Sequence, residues 1–229
     1  GYEVKKQKAK TGWKIVICLL PALLIYTYVV ILPILGALRY SFYNWSGGAN
    51  MKYVGLKNYM ILLKDSSFWS AFQNNILIAV LCVAGQIGLA FVFSSMLSGK
   101  MIRFRGFHRV VAYFPSTLSA VVVGFSWSFI FNYDYGLINM ILCALDLEEW
   151  VRPWLDNPNT IIGVVSIPLI WQYIGYYMVI IMSAMTSIDP SIYEMAELDG
   201  ATGIQKAVKI TLPLIKGSIA VAVMLCIAG

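Results

Sequence analysis

Apolar residues in this chain come in long uninterrupted blocks, and the few charged residues collect between them. A helix that crosses a hydrocarbon core of about 30 Å needs about 20 largely apolar residues in a row. No charge lies between Lys14 and Arg39, which predicts a first span over 15–38. The charge-free stretch 66–99 predicts a second over 75–97, and 110–133 predicts a third. Residues 160–188 predict a fourth, with Pro168 in its outer third. The last apolar run, 217–229, has thirteen residues and reads as an incomplete fifth. Backbone groups in lipid must pair inside the protein, and the period-2 alternation of a barrel is missing, so the spans are expected to be helical. The expected fold class is an all-α integral membrane protein, a polytopic helical bundle.

The composition agrees with the pattern. Of 229 residues, 59% are hydrophobic and 12% charged, about half the charge of a soluble domain. Disorder is excluded by the same figures, because disordered chains are polar and charge-rich. The net charge of +6 raises the question of nucleic acid, but the placement of the charges answers it. Lys5, Lys6, Lys8, Lys10 and Lys14 form a basic lead-in over 1–14, and Lys100, Arg103, Arg105 and Arg109 crowd one short connection. The connection after the fourth span carries Lys206, Lys209 and Lys216. These basic segments alternate with the acidic 134–156 and with 40–74, which is itself basic but long enough to translocate regardless of charge. The positive-inside rule therefore puts the N-terminus in the cytoplasm and makes nucleic acid the poorer reading, and none is expected as partner. The lead-in resembles a signal-peptide n-region, but the apolar run behind it is too long and lacks a small-residue cleavage site. Residue 1 is Gly and the last apolar run is short, so the sequence reads as a C-terminally truncated piece of a longer chain. Cys18, Cys82, Cys143 and Cys226 are scattered without CxxC spacing or histidine neighbours, and neither a metal site nor a disulfide framework is expected.

The connection 189–213 has chemistry of its own. Asp189 is a good N-cap, and Pro190 suits the first helical position. Gly200 follows Asp199 as a helix-ending glycine, and Thr202 with Gln205 has capping-box spacing. Two short helices joined by a hinge are expected, a shape suited to docking a soluble partner.

The same residues carry a resemblance. Glu194-x-Ala196-x-x-x-Gly200, followed nine residues later by Ile210-x-Leu212-Pro213, is similar to the EAA loop of permease subunits of binding-protein-dependent ABC importers. The extended form, Tyr193-Glu194-x-Ala196-x-x-Asp199-Gly200-Ala201, resembles the sugar-permease branch. So do Tyr53 to Tyr59 with Phe68-Trp69, and Phe114-Pro115 with Trp127, Phe131-Asn132 and Tyr135 to Asn139. Met195 replaces the alanine usual at the motif's second position, and Ala207 stands where an aromatic residue is usual. The resemblance implies a type I ABC importer permease in a bacterial cell membrane. Its partners would be a second permease subunit, a cytoplasmic ATPase dimer and an extracellular sugar-binding protein. It implies that Tyr193, Glu194, Ala196, Asp199, Gly200, Ala201, Ile210, Leu212 and Pro213 form the loop that meets the ATPase.

No Walker A sequence occurs, so ATP hydrolysis is expected on another chain and this one is expected to be no enzyme. No cofactor is expected. The interior of every expected span lacks Asp, Glu, Lys and Arg, which argues against a proton-driven carrier. His108, between Arg105 and Arg109, reads as a solvated residue of a cytoplasmic loop. A sugar path calls for aromatic walls and neutral hydrogen-bonding groups. Gln172 and Tyr176, four residues apart on one helix face, offer these, with Tyr173, Trp127 and Asn132 as further candidates. The competing reading makes Gln172 a bond between helices and the aromatic residues an interfacial belt. Alternatives to sugar import are import of glycerol phosphate or another polar solute, and a non-transport membrane scaffold.

Overall fold

The computed structural model describes residues 16–48, 50–98 and 103–229. The basic lead-in 1–14 and Lys100 lie outside the described residues. Internal packing divides the chain into Gly1–Ala71 and Phe72–Gly229.

The first unit holds α1 (Val16–Tyr40), the two-stranded hairpin β1 (Tyr43–Asn44) and β2 (Lys52–Tyr53), and α2 (Lys57–Lys64). β1 and β2 are antiparallel, with Tyr43 opposite Tyr53 and their rings edge to face. Asn58 Nδ2 donates to the carbonyls of Ser41 and Tyr43, and this ties α2 to the chain leaving α1. α1 opens into a π turn at Thr27–Ile31, just before Pro33. A wider turn re-spaces the carbonyls that the proline ring would otherwise strike.

The second unit is built on α7 (Ile161–Thr186). Before it come α3 (Ser66–Ser98), α4 (Arg105–Thr117), α5 (Ala120–Ile130) and α6 (Leu137–Ala144). After it come α8 (Pro190–Leu198), α9 (Gly203–Leu214) and α10 (Lys216–Ala228). Ile87, Ala90 and Leu97 of α3 pack with Tyr177, Met178, Ile181 and Met185 of α7, and Ala222 of α10 closes the cluster. Water does not drive helices together inside a bilayer, so close packing at small residues and hydrogen bonds does the holding. Gly85 admits the Ile170 side chain, and Ser94 Oγ donates to the Met178 carbonyl at 3.1 Å. At Gly175, α7 lies against the α4 backbone. A Cβ there would run into the Ala112 carbonyl and stand 2.6 Å from Tyr113 Cα.

The stretch 110–133, expected as one span, is two helices. α4 and α5 meet at 98°. Pro115 contributes no amide hydrogen, Phe114–Thr117 tightens to a 3₁₀ turn, and Leu118 and Ser119 are extended. Two other boundaries differ from the pattern. α3 begins at Ser66, nine residues before the expected 75, because the amphipathic stretch ahead of the apolar block is helical too. α9 and α10 meet at 76°, turning at Ile215.

The second difference in α4 concerns charge. Arg105, His108 and Arg109 belong to the helix and are not a loop. Arg109 is three residues before Ala112, about 4.5 Å of helix rise. Ala112 touches Gly175, which stands eleven residues before the end of α7, about 16 Å. The cations of this stretch thus sit on the first turns of α4, ahead of the apolar part that begins at Val110. Phe107, Val110, Val111 and Phe114 form an exposed apolar stripe on the opposite face of α4.

Gly175→Val should lower the thermal midpoint of the detergent-solubilised protein by about 2–12 °C, since overpacking costs about 1–3 kcal/mol. Gly163→Ala, at a glycine with open space around it, should leave the midpoint within about 2 °C of the parent. Equal midpoints for the two variants would contradict the close crossing.

Candidate functional site

The elbow 189–213 is assembled from local rules. Asp189 Oδ1 accepts the Ser191 amide at 3.0 Å, and Pro190 occupies the first turn. That bond holds the Asp189 carboxyl below its usual range. The cap is therefore fully present above the ordinary carboxylate pKa, and is lost as pH falls through the lowered one. At the other end of α8 the Ala201 amide donates to the Ala196 carbonyl and the Gly200 amide to that of Glu197. This is a Schellman pair, and it needs the left-handed residue that Gly200 supplies at φ +73°. Thr202 and Gln205 then form a reciprocal capping box that restarts the chain as α9.

Two ties hold α8 against α9. Tyr193 Oη and Thr211 Oγ1 are 3.0 Å apart, and Thr211 is buried. Lys206 Nζ meets Glu197 Oε1 at 2.8 Å, a surface pair worth at most about 1 kcal/mol. Thr211 also donates to the Lys206 carbonyl, inside a π turn at Lys206–Thr211 that precedes Pro213. Of the motif residues, Ala196 is buried, while Tyr193, Ala201 and Ile210 are partly covered. Glu194, Asp199, Gly200, Leu212 and Pro213 are exposed, and Glu194 has no partner among the described residues. The outer surface also carries Leu198 and Ile204, exposed to 88% and 79%, and Met195. Sequence reasoning missed Leu198 and Ile204 and took Met195 only as a departure from the motif. Their signal was an apolar residue at a position where a solvated helix would carry a polar one.

The other candidates separate. Gln172 is 2% exposed, and its Nε2 donates at 3.0 Å to the Leu118 carbonyl, at the break between α4 and α5. Asn132 Oδ1 accepts the amides of Asp134 and Tyr135, shaping the turn after α5. Gly136 closes that turn, where a Cβ would meet the Asn132 carbonyl. Trp127 stacks on Phe131 and meets the Trp171 edge. Tyr173 and Tyr176 remain accessible on α7, at 37% and 36%. Gln172 and Tyr176 thus share a helix but have different surroundings.

Two polar side chains that the sequence reading gave no site role are buried. Asn139 donates to the carbonyls of Tyr133 and Arg152 and accepts from Trp154 Nε1 at 2.8 Å, and so it organises the connection before α7. Gln86 links α3 to α7 and α10 through the Leu169 carbonyl and the Cys226 thiol.

Residues 86–229 match the family described as "Binding-protein-dependent transport system inner membrane component". The probable ABC transporter permease protein YurN of Bacillus subtilis (strain 168) is 34% identical over 213 residues, covering 92% of this chain and 73% of that one. The probable starch degradation products transport system permease protein AmyD of Thermoanaerobacterium thermosulfurigenes is 31% identical, covering 91% and 70%. A crystal structure of a bacterial ABC transporter involved in import of the acidic polysaccharide alginate shares the fold, with a TM-score of 0.80 at 23% identity over 96% of this chain and 74% of that one. The relatives are transport permeases and not enzymes, and the candidate spans agree with a multi-pass membrane protein. The chain belongs to the binding-protein-dependent transport system inner membrane component family of ABC importer permeases.

Proposed function

We propose that this chain is the permease subunit of an ATP-driven importer for a sugar or oligosaccharide. It forms half of the path, beside a second permease subunit, and meets a cytoplasmic ATPase dimer through the elbow 189–213. An extracellular sugar-binding protein delivers the solute, and the N-terminus lies in the cytoplasm. The names of relatives support the solute class: starch degradation products for AmyD, and lactose for LacF of Rhizobium radiobacter, which is 29% identical. The observation that carries the coupling role is the elbow itself. It is two helices joined at Gly200, capped at the start and at the hinge and tied across by two bonds, with Met195, Leu198 and Ile204 exposed.

An exposed apolar side chain on a stiff support suits a partner's groove, because its burial is worth about 2 kcal/mol. Glu194 adds a charge that a polar rim in the partner would meet. Tyr173 and Tyr176 give α7 the aromatic, hydrogen-bonding surface that a sugar requires. Gln172 acts one step back, by holding the α4–α5 break beside them.

Leu198→Asp should cut co-purification of the ATPase at least about tenfold while the permease stays folded, measured by tag pull-down from solubilised membranes. Gly200→Val should do the same by straining the hinge, and Gly200→Asn should be milder because asparagine tolerates the left-handed region. Full recovery of the ATPase with Leu198→Asp and with Gly200→Val would sink the coupling role. For the path, Tyr173→Ala with Tyr176→Ala should raise the KM for sugar uptake about tenfold or more. Unchanged uptake kinetics would remove these residues from the path.

A further inference from the structure

Gln86 is a buried polar side chain at span depth that touches two other spans. It sits in a π turn of α3, Val83–Ile87, and is 5% exposed. Its Nε2 donates at 3.1 Å to the Leu169 carbonyl of α7, one residue beyond Pro168. Its Oε1 accepts from Cys226 Sγ of α10 at 3.2 Å. The same thiol also meets the Tyr177 hydroxyl of α7, and the remaining contact between α10 and the bundle is apolar, through Ile219, Ala222 and Val223. Among the described residues, the Cys226 thiol is the only α10 side chain with a hydrogen bond to another span.

The position of α10 gives that bond a second meaning. α10 continues from α9 through the 76° turn at Ile215, so one end of it belongs to the elbow and the other is held at Gln86. Ile215 is buried in the same core as α3 and α7. A displacement of α9 therefore reaches the bundle along α10, and α10 slides or tilts against Gln86. π turns place one residue out of the regular α register, and here that residue spacing aims an amide at two helices at once. The neighbouring Gly85 lets Ile170 come close enough for the bond to Leu169 to form.

We propose that Gln86 is a positioning residue for coupling, a latch that holds α10 to α3 and α7 until the elbow moves. This rests on the reading of the elbow as the ATPase contact. Hydrogen bonds between helices in a bilayer shift an equilibrium by roughly threefold to eighteenfold each. Removing the latch thus lowers the restraint on α10 by a measurable factor without dismantling the apolar core. Methionine has nearly the volume of glutamine and makes neither bond.

The test uses the assembled transporter, permease subunits with the co-purifying ATPase, in lipid nanodiscs. Gln86→Met should raise ATP hydrolysis in the absence of any binding protein at least threefold, with the ATPase still bound. Cys226→Ala should give part of that rise, the double variant no more than Gln86→Met alone, and Cys226→Ser should restore the parent rate. A side chain that merely supported the fold would lower the rate and the thermal midpoint together and would show no rescue by serine. In the parent complex, N-ethylmaleimide labelling of Cys226, mapped by mass spectrometry, should rise at least threefold on trapping with ATP and vanadate. Hydrolysis within twofold of the parent in an assembled Gln86→Met complex overturns the latch, and so does labelling that trapping leaves unchanged. Failure of the ATPase to co-purify with the parent chain overturns instead the reading of the elbow.

Discussion

Lipid offers no hydrogen bonds, and the rest of the bundle follows from that. Each amide and carbonyl at span depth must find its partner inside the protein, at a cost of several kcal/mol otherwise. A continuous helix does this by itself. This chain repeatedly interrupts its helices, and each interruption is met by a side chain or a changed turn. The break at Leu118 is met by Gln172, and Ser116 and Thr117 bond back to the carbonyls of Tyr113 and Phe114 ahead of it. Before Pro33 and Pro213 the helix widens to a π turn. The polar residues of the spans are thus largely repairs to the backbone, and this is why so few of them are free to face a solute.

The elbow obeys different physics because its helices are short. A nine-residue helix is too short to be stable alone in water, so termination chemistry and cross-ties carry much of its definition. Asp189 and Pro190 fix its start, the Schellman pair fixes its end, and the capping box fixes the restart. Tyr193 with Thr211, and Glu197 with Lys206, then set the angle between the limbs. Little of this uses apolar burial, which leaves apolar residues available on the outer surface.

How much of this was legible in the sequence depended on the range of the interaction. The caps at Asp189, Gly200 and Thr202 were readable because donor and acceptor lie within a few residues of each other. The long helices were readable from charge-free length, to within a few residues for α7 and less well for α3, whose first turns are not apolar enough to count. The right angle between α4 and α5 was not readable. Composition over 110–133 is uniformly apolar, and the break is stabilised by an amide 54 residues away in sequence. Arg109 was assigned to a loop because the charged turns that open α4 lack the apolar length by which a span is read. Gln172 had two readings, a path residue or a bond between helices, and the burial of its side chain against Leu118 agrees with the second.

The cross-ties of the elbow have a mechanical consequence. An arm of nine residues is about 13 Å long. If it hinged freely at Gly200, a push at its tip would be absorbed as bending and would die out within the loop. With the two limbs braced, the arm turns as one piece, and a rotation of about 10° carries its tip by about 2 Å. Stiffness of the bracket, more than its shape, then decides how much of a displacement at one end arrives at the other.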